Sequence, residues 1–250
     1  MPSLVFLVDF DNTLLDNDAV KLDIEATMRE VLGERIAARF WELYEAIRTE
    51  LDVIDFYEDL RRLRAEFPAA RGRVDAASAA IATWDFRRRL FPAALDVLAH
   101  LKRLGTVFIV SDGDPLFQVT KIWRSGVTAA VDGRVLVFTH KERYLEAFTQ
   151  QFPADQYVMV DDKPGVLMRA KAVLGGRLTT VFVRQGKYAR DPRFAVDYEP
   201  DVTVGSIGEL LRLDAGELIG AAKQTDARRD DGITRARGEQ APAAGRAGAF

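Results

Sequence analysis

Two aspartates stand one residue apart in FLVDFDNTLLD (residues 6–16), directly after the apolar run Phe6-Leu7-Val8. Like charges that close repel each other unless something neutralises them. Taken alone, Asp9-x-Asp11 reads first as a turn or helix-cap arrangement. Two more polar clusters give it another meaning. Ser111-Asp112-Gly113-Asp114 follows TVFIV (106–110), and Asp161-Asp162-Lys163 follows YVMV (157–160). Lys141 opens the stretch KERYLEAF soon after VLVF (135–138). Asp9, Asp11, Asp161 and Asp162 gathered in one crevice call for a hard cation with oxygen ligands, and Mg²⁺ suits them best. A serine hydroxyl (Ser111) and an ammonium (Lys141) facing the same ion suit the spread negative charge of a phosphoryl group. Metal, phosphate donors and a free carboxylate together point to phosphoryl transfer.

The elements around these residues decide whether they can meet. LVFLV (4–8) is a short continuous apolar run, as expected of a strand buried on both faces. Further strands are predicted at 106–110, 135–138, 157–160, 178–183 and 202–204. Between them, helices are predicted at 115–126, 141–151 and 165–174. Strands alternating with helices argue for an α/β fold with a doubly wound, Rossmann-like parallel sheet. In such sheets ligands bind beyond the carboxyl ends of the strands, so all three acidic or serine clusters would face one edge. Residues 16–90 carry no comparable strand run and read as helices. Asp16, Asn17 and Asp18 can cap the first and Gly33 can end it. Phe40, Leu43, Tyr44 and Ile47 recur at helical spacing, as do Phe56, Leu60 and Leu63 up to Phe67-Pro68. A further helix is predicted over 75–88. Pro92 can start another, which Gly105 closes. The expected organisation is a core made of 1–15 and 91–213, a helical cap at 16–90, and a C-terminal tail at 214–250, disordered beyond about 221.

Composition limits the alternatives. The chain has 250 residues, 48% apolar and 29% charged, which describes an ordinary globular protein with room for one core and an inserted domain. A net charge of -3 gives no general pull toward nucleic acid or an anionic membrane. There are no cysteines, which excludes thiol catalysis, disulfides and Cys-type zinc sites and fits a reducing cytoplasm. Only His100 and His140 are available to a histidine metal site. No transmembrane run is present, and the N-terminal apolar segment turns acidic too soon to read as a signal peptide.

Taken together, the motifs resemble those of the haloacid dehalogenase-like hydrolase superfamily, most of whose members are Mg²⁺-dependent phosphatases. DFDNTL (9–14) is similar to its first motif, VSDGD (110–114) to its second, Lys141 in THKERYLEAF to its third, and VMVDDK (158–163) to its fourth. The resemblance runs from residue 4 to about 183, with the cap where the superfamily's helical type of cap is inserted. It implies that Asp9 is the nucleophile, forming an aspartyl-phosphate. It implies that Asp11 protonates the leaving group and then activates water, while its backbone carbonyl reaches the metal. Ser111 would hydrogen-bond a phosphoryl oxygen, and Lys141 would neutralise phosphate charge and steady Asp9. Asp161 and Asp162 would complete the Mg²⁺ site.

Several positions depart from the pattern or stay open. Asn12 stands where glycine is common. Asp112 replaces the more usual asparagine, which either weakens phosphate binding or bonds a substrate amine or hydroxyl. Lys163 is either a counter-ion to the acids or a competitor for the role of Lys141. Lys121 is a second competitor, although its helical register predicts a surface or capping lysine. Arg87-Arg88-Arg89 reads as a solvated face before it reads as a substrate clamp. Arg184, Lys187 and Tyr188 either touch substrate or hold their loop. Trp41, Trp84 and Phe86 read as cap core. The expected activity is hydrolysis of a small phosphomonoester. The rivals are phosphotransfer or phosphomutase chemistry on the same nucleophile, and a catalytically weak phospho-ligand-binding regulator. Dehalogenation is disfavoured, because the family's dehalogenases lack the second acid of the first motif.

Overall fold

The computed structural model describes residues 3–51 and 55–221. Six parallel strands form one sheet: β1 (Leu4–Val8), β2 (Thr106–Asp112), β3 (Val135–Phe138), β4 (Gln156–Asp161), β5 (Leu178–Val183) and β6 (Val202–Val204), in the order β3-β2-β1-β4-β5-β6. β1 is central and buried along its whole length, as its unbroken apolar sequence requires. Its side chains alternate between two cores. Leu4, Phe6 and Val8 join α5 (Ala94–Leu104), α6 (Pro115–Arg124) and α7 (Val127–Ala130) on one face. Val5 and Leu7 join α8 (Leu145–Gln151) and α9 (Pro164–Leu174) on the other. The strand order runs outward in opposite directions from β1, so the chain leaves a crevice at the carboxyl edge beside it. This is the doubly wound α/β fold expected from the sequence.

Four helices lie between β1 and α5 in the chain and pack on one another: α1 (Asn17–Leu32), α2 (Glu34–Leu51), α3 (Phe56–Glu66) and α4 (Arg71–Thr83). Asp16 starts α1 by accepting from Ala19 N at 2.9 Å, and Gly33 ends it with φ 77°. Val20, Ile24, Met28 and Leu32 form its buried stripe, one residue per turn. Asp55 caps α3 through Tyr57 N and Glu58 N.

Three elements differ from the sequence reading. The helix expected over 75–88 divides in two. α4 stops at Thr83, Trp84 is extended, and a separate 3₁₀ turn spans Phe86–Arg89. The break has local causes: Asp85 accepts from Arg87 N, and Arg124 takes the Thr83 and Trp84 carbonyls. β2 and β4 also run further than expected. Ser111 and Asp112 pair with Val137 and Phe138, and Asp161 pairs with Phe182, so these polar residues are strand ends rather than loop residues. Lastly, part of the expected tail belongs to the core. Residues 215–221 are helical, Leu218 is buried, and its carbonyl accepts from Thr179 Oγ1. The disorder expected beyond 221 concerns positions outside the described residues. Among the described residues no helix is long and apolar enough to cross a membrane.

Candidate active site

The ladder of β1 continues one residue past Val8, where Asp9 N donates to Val160 O at 2.9 Å. Asp9 is therefore held at the end of the central strand. Phe10 turns into the core, and Asn12 takes a left-handed conformation (φ 59°) that returns the chain toward α1. Asn12 Oδ1 accepts from Asn17 N and Asp18 N at 3.0 and 3.2 Å. The residue that departs from the usual glycine thus ties the loop after β1 to the first turn of α1.

Lys141 lies in a 3₁₀ turn (Lys141–Tyr144) shortly after β3 and is fully buried. Its ammonium pairs with Asp9 Oδ1, stands 2.7 Å from Asp161 Oδ2, and donates to Val110 O at 3.1 Å. Burial alone would lower its pKa. The attraction of Asp161, Asp9 and Asp112 outweighs that and raises it, so the lysine stays charged. Asp112 accepts from the Lys141 backbone N–H at 2.8 Å. The acid that looked surplus in the sequence therefore fixes the turn that presents the lysine. Burial pushes its own carboxyl upward.

Asp9, Asp161 and Asp162 are buried, and one carboxylate oxygen from each lies within 4.8 Å of the others. Asp9 Oδ2 and both oxygens of Asp162 have no hydrogen-bond partner. Burial first, then Asp161 and Asp9, pushes the Asp162 carboxyl well up, and burial also raises Asp161. Buried carboxylates without partners are costly. An oxygen-seeking divalent cation such as Mg²⁺ fits this donor set, because it would give the orphaned oxygens a partner and offset their repulsion. The Asp11 carboxylate lies outside this cluster.

Asp11 is held instead from α6. Lys121 Nζ pairs with Asp11 Oδ2 at 2.7 Å and donates to Asn17 Oδ1 at 3.1 Å. Gln118 Nε2 donates to the same Asp11 oxygen at 3.1 Å and to Ser111 Oγ at 2.8 Å. Lys121 is 3% exposed, which corrects its reading as a surface or capping lysine. Phe117, Gln118, Lys121 and Ile122 form the inward face of α6, while Leu116 and Trp123 point to solvent at 70% and 64% exposure. The helix thus presents Gln118 and Lys121 to the crevice beside the buried Phe117 and Ile122, and leaves Leu116, Val119 and Trp123 in water, so Lys121 lies inward where its register suggested a surface position. Gln118 went unnoticed in the sequence for the same reason.

Lys163 makes no ion pair within 4 Å among the described residues. Its ammonium stands 5.0 Å from the Tyr188 ring and is kept charged by Asp9 and Asp161 despite burial. It acts as a counter-ion at longer range, whereas the short contacts to Asp9 and Asp161 go to Lys141. Tyr188 belongs to α10 (Gly186–Arg190), where Lys187 N donates to Asp18 Oδ2 at 2.8 Å. Gly186 adopts φ 64° so close to Asn12 that a Cβ there would lie 2.4 Å from Asn12 Cβ. Arg184 is exposed. In the arginine run, Arg89 forms a two-pronged pair with Asp23 of α1 at 2.6 and 2.7 Å, and Arg87 and Arg88 are exposed. Phe86 is buried, and the indole N–H groups of Trp41 and Trp84 are buried without partners. A cavity of about 250 Å³ lies between α1, α2 and this edge of the sheet, bordered by Asp11, Asp112, Lys121, Lys163 and Tyr188.

The fold has counterparts in known proteins. The haloacid dehalogenase-like hydrolase family model matches residues 4–172. A haloacid dehalogenase-like hydrolase of Burkholderia xenovorans LB400 is 46% identical, with 86% of this chain and 100% of that chain covered and a TM-score of 0.78. More distant folds of the same kind include the HAD-hydrolase YfnB of Bacillus subtilis, solved bound to magnesium (14% identity, 85% and 98% covered, TM-score 0.56). Another is an L-2-haloacid dehalogenase of Xanthobacter autotrophicus (19% identity, 85% and 98% covered, TM-score 0.52). No curated protein matches the chain. The match over most of the sheet, the 46% identity across a whole homologous chain and the four motifs at one sheet edge mean that this chain belongs to the haloacid dehalogenase-like hydrolase family.

Proposed function

We propose that this hydrolase is a Mg²⁺-dependent phosphatase of a small phosphomonoester, with Asp9 as nucleophile and helices α1–α4 as the cap over its crevice. One observation carries the reading: Asp9 has one oxygen engaged by the buried Lys141 and the other unpartnered, beside Asp161 and Asp162. A carboxylate held in that way keeps a lone pair free for attack. Asp9, Asp161 and Asp162 would hold the ion, with the Asp11 carbonyl. When bound, Mg²⁺ supplies the positive charge that lets an anionic nucleophile approach an anionic phosphate.

The remaining roles follow from the chain's own groups. Asp9 attacks phosphorus, the bond to the leaving oxygen breaks, and Asp11 gives that oxygen a proton. Asp11 then takes a proton from the water that cleaves the aspartyl-phosphate, returning Asp9 as a carboxylate. Lys121 and Gln118 hold one Asp11 oxygen, so the other is the one free to exchange a proton. Ser111, already tied to Gln118, donates to a phosphoryl oxygen, and Lys141 and Lys163 balance phosphate charge. The presence of Asp11, and its fixed position, favours phosphoryl chemistry over dehalogenation, which does not need a second acid. Hydrolysis is tested by phosphate release from p-nitrophenyl phosphate and a metabolite panel, with and without Mg²⁺. Product analysis with added alcohol acceptors separates hydrolysis from phosphotransfer, and substrate binding without turnover would identify the regulatory alternative.

A further inference from the structure

Helices α1 and α2 carry one ammonium group that the phosphoryl chemistry leaves unused. Lys21 borders the 250 Å³ cavity that also reaches Asp11 and Lys163. Its Nζ sits 4.4 Å from the Tyr44 ring centroid and 5.5 Å from that of Trp41. The nearest carboxylate oxygen, on Glu45, is 4.0 Å away, at the outer limit of ion pairing. Glu45 is engaged by Arg48 at 2.7 Å. Lys21 thus has no hydrogen-bonded carboxylate among the described residues, although an ammonium offers three donors. Partial burial disfavours its charge, and repulsion from Lys187 adds to that. Phe56 and Phe117, 4.5 Å apart between ring centroids, supply an apolar wall of the same cavity.

The cavity therefore has two polar ends with an apolar stretch beside them. One end, at Asp11 and Lys163, adjoins the proposed phosphoryl site; the other holds the Lys21 ammonium, with Arg48 beside it. An anion at Lys21 would accept its free N–H donors and relieve its repulsion from Lys187. A neutral hydroxyl would do only the first. The volume lies below the roughly 300–1,000 Å³ usual for ligand pockets, which limits the organic part to a few carbons.

We propose that Lys21 binds a carboxylate on the leaving group, so that the substrate is a short phosphomonoester with a carboxylate at the end remote from the phosphate. This rests on the phosphatase reading and adds the substrate class. The test compares 3-phosphoglycerate with glycerol 3-phosphate, which replaces the carboxylate by a hydroxymethyl group, on the full chain with Mg²⁺. The expected result is a kcat/KM higher by about tenfold or more for the carboxylate, expressed mainly in KM. Lys21→Met should bring that ratio to about one, and Lys21→Arg, which keeps the charge, should retain most of it. Equal kcat/KM values for the two substrates, or a ratio that Lys21→Met leaves unchanged, would overturn the proposal. Calorimetry of 3-phosphoglycerate binding to Asp9→Asn reads the subsite without turnover. Adding Lys21→Met should weaken that binding about tenfold, and unchanged binding contradicts the subsite. Absence of hydrolysis of any phosphate, including p-nitrophenyl phosphate, is instead the failure of the phosphatase reading.

Discussion

The proposed chemistry of the site depends on a few charges, most of them buried. Lys141 bridges Asp9 and Asp161 at full burial, and Lys121 performs a parallel service for Asp11 from another helix. Lys121→Met should therefore lower kcat about tenfold or more with little change in KM, because it would free the carboxylate proposed to transfer protons without touching the proposed phosphate donors. Steady-state kinetics on p-nitrophenyl phosphate would check this; an unchanged kcat would mean that Lys121 does not act through Asp11. The acids themselves were legible in the sequence, since each cluster directly follows an apolar run that could only be a buried strand. Their partners were not. Gln118 and Lys121 sit on a helix whose Leu116, Val119 and Trp123 mimic a core-facing stripe yet are exposed. Only the position of α6 against the first strand loop shows which face matters.

Elements meet the site through few, tight contacts. Gly186→Ala would place a methyl group against Asn12, whose backbone is itself left-handed, and would impose a strained φ. It should cost about 1–3 kcal/mol, read as a lower denaturant midpoint. A second prediction concerns α3. Asp59 is buried with neither oxygen hydrogen-bonded, and burial pushes its carboxyl up to about 8. In the unfolded chain it ionises near its ordinary value of 3.8. Between those values the unfolded state holds fewer protons, so stability falls as pH rises through that window. Asp59→Asn should remove this part of the slope, and thermal unfolding from pH 4 to 8 would show a flatter profile than wild type. An unaltered slope would mean that the carboxyl finds a partner in solution. The helices α1–α4 were recognisable from spacing and caps such as Asp16 and Gly33. Which of their faces borders the crevice was not, because Lys21 and Tyr44 look like ordinary surface and core positions in the sequence.

At the scale of the molecule, a parallel sheet gathers the ends of β1, β2 and β4 at one edge, and the order change at β1 opens the crevice there. The alternation of strands and helices predicted this edge, because strands in a parallel sheet all end on the same side. What the sheet gathers is a deficit of positive charge: Asp9, Asp161 and Asp162 against Lys141, with Lys163 further off. Mg²⁺ should therefore raise the melting temperature, by an amount corresponding to about 2.7 kcal/mol at a hundredfold excess over its Kd. Asp162→Asn should abolish that shift while leaving the metal-free protein at least as stable near neutral pH, since ionising Asp162 is opposed by burial and by its neighbours. Differential scanning calorimetry with and without the ion reads both effects. In the proposed mechanism Asp9 attacks a phosphoryl group with the ion in place. Its most direct test is phosphate release from a broad panel of phosphomonoesters by the full chain and by Asp9→Asn. Turnover should require Mg²⁺ and disappear in the variant; folded, metal-loaded protein with no turnover above Asp9→Asn would rule out Asp9 as the nucleophile of a phosphatase.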